Sequence, residues 1–113
     1  MYKLLHNPRC RKSREAMEFL KFHNLNFETL LYMKDGLEIN QLKEIIDKLN
    51  VNPIDLVRRQ EKIWKENFKG TPMSDPEIVS AMVNNPKLIE RPIVIHKNKA
   101  VIGRPTSDIL SII

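Results

Sequence analysis

The sequence predicts an α/β domain, a four-stranded mixed sheet with flanking helices and an all-helical insertion between its two halves. Three observations carry this. Strand-like apolar runs come in two pairs, one pair toward each end of the chain. A helix-periodic segment separates the members of the first pair, whereas only Lys97-Asn98 separates those of the second. The intervening stretch, residues 36–88, contains no strand-like run. A parallel half joined through helices to an antiparallel half is the architecture this order describes.

The 113 residues, 42% hydrophobic and 29% charged, suit one domain spanning 1–113 with a modest core. MYKLLH reads as the first strand. From about Ser13 to Asn24, Ala16, Met17, Phe19 and Leu20 fall on one side, and Arg14, Glu15, Glu18 and Lys21 mostly on the other, which is helical periodicity. LNFETLLYM reads as a second strand covered on both faces, with Phe27, Thr29 and Leu31 alternating among apolar neighbours. A right-handed crossover between these strands puts the loop around residue 10 at the C-terminal edge of strand one, where open α/β sheets bind ligands.

Inside the insertion, LEINQLKEIIDKLN spaces Leu42, Ile45, Ile46 and Leu49 as a helix, and IDLVRRQEKIWKENF follows as one or two more. SDPEIVSAMVNN opens with Ser74 as N-cap and Pro76 in the first turn. Trp64 and Met82 are assigned to the core. RPIVIH and KAVIG form a hairpin, and TSDILSII closes the chain as a helix opened by Pro105 and Thr106. The order β-α-β, helices, β-β-α is thioredoxin-like. In that arrangement a cysteine after strand one takes the redox position, and Pro92, before strand three, is a cis proline beside it.

Cys10 is the single cysteine, and it stands in HNPRCRKSREAMEFL among Arg9, Arg11 and Lys12 at the mouth of the first helix. A packed structural thiol has apolar neighbours; a thiol at a helix N-terminus beside cations has its pKa lowered and is a nucleophile at neutral pH. His6, at the end of strand one, is either held by backbone or stabilises the thiolate as an imidazolium. One cysteine makes no internal disulfide, and nothing at the N-terminus has the charged and apolar regions of a leader, so the expected address is cytoplasmic.

Nineteen Lys and Arg against fourteen Asp and Glu give +5 and a pI near 9.5, which favours anionic partners. Most cations alternate with acids along helical faces, and 6% aromatic residues are too few for a base-stacking platform, so nucleic acid is not the expected partner. No apolar run approaches the roughly 18 residues of a membrane span. His23 and His96 stand apart without other ligand types, so no metal site is expected.

Three arginines lie at element edges: Arg58 in DLVRRQ, Arg91 in ERPIVI and Arg104 in IGRPTSDIL. The residue before a proline is held extended, and strands three and four would meet their loops beside the Cys10 loop, so Arg91 and Arg104 are candidates to converge on it. Guanidinium forks bind oxyanions bidentately and stay charged. A thiolate among arginines at a helix N-terminus is a place where sulfur attacks an anion.

HNPRCRKSR, LVRRQEKIWKE, NPKLIERPIVI and VIGRPTSDIL, in this order over nearly the whole chain, resemble the glutaredoxin-coupled arsenate reductase family, a thioredoxin-fold group that includes Spx-type transcription regulators. The resemblance implies that Cys10 attacks arsenate, glutathione displaces the arsenic adduct, and glutaredoxin recovers the thiol. It implies that His6 lowers the pKa of Cys10, that Arg58, Arg91 and Arg104 bind the oxyanion, and that glutathione is a co-substrate with no bound cofactor. Ser13 matches the serine of a C-x-x-S segment where Spx-type regulators carry a second cysteine. Two alternatives stand beside the reductase: a regulator that docks on RNA polymerase, and a glutathione-dependent thiol reductase without arsenate activity. The missing C-x-x-C and the three arginines favour the enzyme.

Overall fold

The structure, a computed structural model, describes residues 1–113. Its chain divides into two compact units, one made of residues 1–35 with 91–113 and one of residues 36–90.

The first unit holds the sheet. Strand β1 (Tyr2–Leu5) is followed by helix α1 (Arg11–Phe22), strand β2 (Phe27–Leu30) and a single helical turn, α2 (Tyr32–Asp35). Strands β3 (Ile93–His96) and β4 (Lys99–Ile102) make the hairpin, with Lys97 at φ +57° in its turn. β1 pairs parallel with β2 and antiparallel with β3, giving the order β2-β1-β3-β4. Because strand side chains alternate, Tyr2, Leu4 and Val94 share one face. There they meet Ala16 and Leu20 of α1 and Ile109 and Ile112 of the C-terminal segment. Leu5, Ile93 and Ile95, on the opposite face, are buried as well.

Four expectations change here. β2 is an edge strand with Glu28 and Thr29 exposed, because a β-α-β pair whose first strand also pairs with β3 leaves the second with one neighbour. Lys3 and Glu28, directly opposite in register, form a 3.7 Å ion pair there. The rest of the run, from Tyr32, turns into α2. α1 starts at Arg11, before its apolar face does, since its first turn is tied to the loop through Asn7 N–H to Ser13 Oγ and Arg14 Nη1 to Pro8 O. It ends where Asn24 (φ +56°) takes the left-handed conformation, with Asn24 N–H bonded to Lys21 O and Leu25 N–H to Leu20 O, a Schellman stop. The last helix, Thr106–Ile112, is 3-10.

The second unit is helical: α3 (Ile39–Leu49), a 3-10 turn (Pro53–Leu56), α4 (Lys62–Asn67), α5 (Asp75–Asn84) and a second 3-10 turn (Pro86–Leu88). α5 begins with a reciprocal capping box, Glu77 N–H to Ser74 Oγ and Ser74 N–H to Glu77 Oε1. It packs on α3 and on both 3-10 turns, and Leu42, Leu56, Trp64, Met82 and Leu88 are buried. The run read as continuous helix breaks at Val57, which forms an antiparallel bridge with Ile89. Arg58 N–H bonds Leu88 O at 2.7 Å and Glu90 N–H bonds Leu56 O at 2.8 Å, so the chain is extended at Val57 before it turns at Arg59. No helix is long and apolar enough to cross a membrane.

Gly103, after β4, lies where a Cβ would come within 3.1 Å of two side-chain carbons of the fully buried Ile109. Gly103→Ala should therefore cost about 1–3 kcal/mol. Leu110→Ala, at a position 53% exposed, should stay within about 0.5 kcal/mol of the parent. Denaturant midpoints at constant slope measure both.

Candidate active site

The site is assembled at one end of the sheet. β1 delivers the loop 6–10, and the antiparallel pairing of Leu5 with Ile93 brings the start of β3, and so Arg91, to the same end. Cys10 is the N-cap residue of α1, in extended conformation (φ −94°, ψ 121°). Its side chain is half-buried, and the Arg91 Nε–H donates to Cys10 Sγ at 3.1 Å. Burial alone would raise the pKa of this thiol. The Ser13 N–H, the Arg91 hydrogen bond and charge, and the Lys12 N–H outweigh it, so the pKa is lowered. The helix terminus thus acts through two specific N–H donors, and the charge beside sulfur comes from a residue 81 positions away.

The cations next to Cys10 in sequence do other things. Arg11 Nε and Lys12 Nζ both reach Glu15, at 3.3 and 3.8 Å. Arg14 Nη1 donates to Pro8 O at 2.8 Å and so clasps the loop to the helix. Within the loop, Arg9 N–H bonds Asn7 Oδ1 and Cys10 N–H bonds Asn7 O, a pair of local turns that fixes the sulfur's position.

His6 is buried, and its Nδ1 lies 2.7 Å from Ser13 Oγ. Burial first, then Arg14 and Lys21, hold its pKa below the ordinary 6.5, so the ring is neutral at pH 7. The imidazolium expected beside the thiolate is absent for that reason: solvent is excluded and the nearby charges are positive. Asn7 N–H donates to Ser13 Oγ at 3.0 Å. The Ser13 hydroxyl thus links the loop backbone at Asn7 to the His6 ring. His6 therefore bears on Cys10 through Ser13, whose backbone N–H is the first donor to the sulfur. Ser13 had a sequence signal: with Ala16 and Leu20 it continues an i, i+3, i+7 stripe, so a hydroxyl sits where the helix faces the core.

Both Arg91-Pro92 and Arg104-Pro105 are cis. Gly103 N–H bonds Pro92 O and Arg104 N–H bonds Ile102 O, each at 2.9 Å, so the backbone of Arg104 lies beside the Arg91-Pro92 segment, at the sheet end that carries Cys10. Arg58 belongs to the helical unit. There Nη1 is 3.8 Å from Glu61 and 3.4 Å from Lys87 O, and Nε is 3.8 Å from Glu90.

A family model described as the ArsC family matches residues 5–112. The chain belongs to the ArsC family. Among curated proteins, it is similar to the uncharacterised protein YfgD of Escherichia coli K12, 40% identical over 98% of this chain and 95% of the other. It is also similar to the arsenate reductase of Haemophilus influenzae, 34% identical over 97% of each. Among solved structures, the arsenate reductase from Vibrio cholerae superposes with a TM-score of 0.94 at 33% identity, covering 99% of this chain and 97% of that one. The thioredoxin-like sheet with flanking helices is thus the ArsC fold.

Two outcomes follow from this geometry. Alkylation of Cys10 against pH should show a midpoint below the ordinary free-cysteine value of about 8.5. A buried His6 with a depressed pKa binds fewer protons than it does in the unfolded chain, so stability should fall as pH drops through 6.5 toward the lowered folded-state pKa. Denaturation at a series of pH values should show that slope, and His6→Gln should lack it.

Proposed function

We propose that this ArsC-family chain is a thiol-dependent oxidoreductase that reduces arsenate, with Cys10 as nucleophile. The observation that carries the reading is the Arg91 guanidinium donating to a half-buried Sγ at the N-terminus of α1. The thiolate attacks arsenic and an oxygen leaves as water after protonation. Glutathione displaces the adduct, and a glutaredoxin-type protein returns Cys10 to the thiol. Overall, arsenate takes two electrons from two thiols, one oxygen leaves as water, and the thiols leave as a disulfide.

The electrostatic need is plain. An anionic oxyanion and a thiolate repel each other, so attack requires positive groups placed around both before reaction. Arg91 serves the sulfur, and Arg104, from the adjacent β4 exit, is assigned to the oxyanion with it. Arg58 enters through the resemblance alone. His6 and Ser13 are positioning residues that hold the helix N-terminus in register with the sulfur. The single cysteine supports an external thiol as the resolving group, since the chain has no second thiol with which to close a disulfide.

Arsenate reduction measured with glutathione, glutaredoxin and nicotinamide-linked glutathione reductase tests this. Wild type should turn over and Cys10→Ser should not. A charged, forked contact contributes roughly 1.5–3 kcal/mol, so Arg104→Ala and Arg58→Ala should each weaken oxyanion binding by about tenfold or more, with lysine rescuing only part. No turnover by wild type, together with a stable complex with RNA polymerase, would instead favour a regulator.

A further inference from the structure

We propose that the exposed cations flanking Cys10, namely Arg9, Arg11 and Lys12, form a docking rim for a protein reductant whose own thiol is ringed by carboxylates. The proposal rests on Cys10 being a redox thiol and adds the surface through which its electrons arrive.

The stretch 9–15 holds four cations, Arg9, Arg11, Lys12 and Arg14, against one carboxylate, Glu15. Along the helices of residues 38–69 cations alternate with acids; here they do not. Arg14 is committed to Pro8 O. The side chains of Arg11 and Lys12 are 84% and 52% exposed and share Glu15 between them. Arg9 is exposed, and only its backbone is bonded. One carboxylate thus serves two rim cations, and both pairs, being exposed, exchange for others at little cost.

The position of these side chains selects the kind of partner. A small anion is recognised by donors that converge on it, and the donor aimed at Sγ is Arg91. The groups that lower the pKa of the sulfur are Ser13 N–H, Arg91 and Lys12 N–H. The rim side chains are exposed on the first turn of α1 and the loop before it, and in sequence they flank Cys10 on both sides. A protein surface bearing several carboxylates around its thiol reaches all of them while its sulfur meets Sγ. Complementary charge of this kind raises encounter rates and orients the approach.

The step served is thiol–disulfide exchange. With Cys10 held as a mixed disulfide, a thiolate of the partner attacks it and one thiol is released. The partner's second thiol then attacks the new mixed disulfide and releases the other. The partner leaves as an internal disulfide with its two protons passed to Cys10 and the small thiol.

The test uses the full chain with Cys10 as its mixed disulfide with mercaptoethanol. Reductants are two forms of a C-x-x-C dithiol protein, one with glutamates and one with lysines around the thiol, plus neutral dithiothreitol and glutathione. At about 0.01 M ionic strength, where the Debye length is about 30 Å, the acidic form should reduce wild type at least about tenfold faster than the basic form. The difference should vanish near 1 M, where that length is about 3 Å. The triple variant Arg9→Ser, Arg11→Ser, Lys12→Ser should lose the preference while its rate with dithiothreitol is unchanged. Equal rates for the two protein forms, or an unaltered preference in the triple variant, overturns the docking rim. So does an equal loss toward glutathione, which would mean attraction of any anion. None of these readouts requires arsenate turnover, so failure of the reductase reading is seen separately, in the arsenate assay.

Discussion

The 3.1 Å contact between the Arg91 Nε–H and Cys10 Sγ is the interaction on which the rest of the site depends. It joins two residues 81 positions apart, and the central pair of the sheet makes it possible. β1 runs toward the Cys10 loop, and β3 starts opposite its end, with Leu5 facing Ile93. The residues before β3 must then lie beside the loop after β1. The buried cluster of Leu4, Val94, Leu20 and Ile109 holds this register, because a one-residue slip would turn its strand side chains to the other face. Hydrophobic packing thus sets an electrostatic distance.

Around that contact the polar groups divide by distance from the sulfur. Nearest are the two helix N–H groups and Arg91, which favour the thiolate against the cost of burial. Next come Asn7, Ser13, neutral His6 and Arg14, which fix the loop and the first turn by hydrogen bonds and carry no ion pair of their own with the thiol. Outermost are the exposed cations of the rim. A single basic stretch of sequence therefore splits into backbone donors that tune the sulfur and side chains that face solvent.

Much of this was legible in the chain. The two strand pairs, the long α3 helix, the Ser74 cap and the placement of Cys10 at the head of α1 all follow from local periodicity and capping chemistry. Arg91 and Arg104 at the sheet end follow from the order of the elements. What was not legible depends on tertiary neighbours. Cys10 sits among cations in sequence, yet its charge partner is supplied by β3 pairing. His6 reads as a plausible imidazolium until its burial is known. β2 looks covered on both faces because apolar content does not reveal which strand lies at an edge. The helix read through Arg58 breaks because Val57 finds a bridge partner 32 residues on, at Ile89.

The central claim is that a distant arginine, and not the basic residues beside it in sequence, makes Cys10 a thiolate. Ultraviolet titration of the thiolate in three proteins tests it most directly: wild type, Arg91→Ala, and the triple serine variant of Arg9, Arg11 and Lys12. The account predicts that the Cys10 pKa rises toward the ordinary cysteine value in Arg91→Ala and stays at the wild-type position in the triple variant. A rise in the triple variant with no change in Arg91→Ala would contradict it.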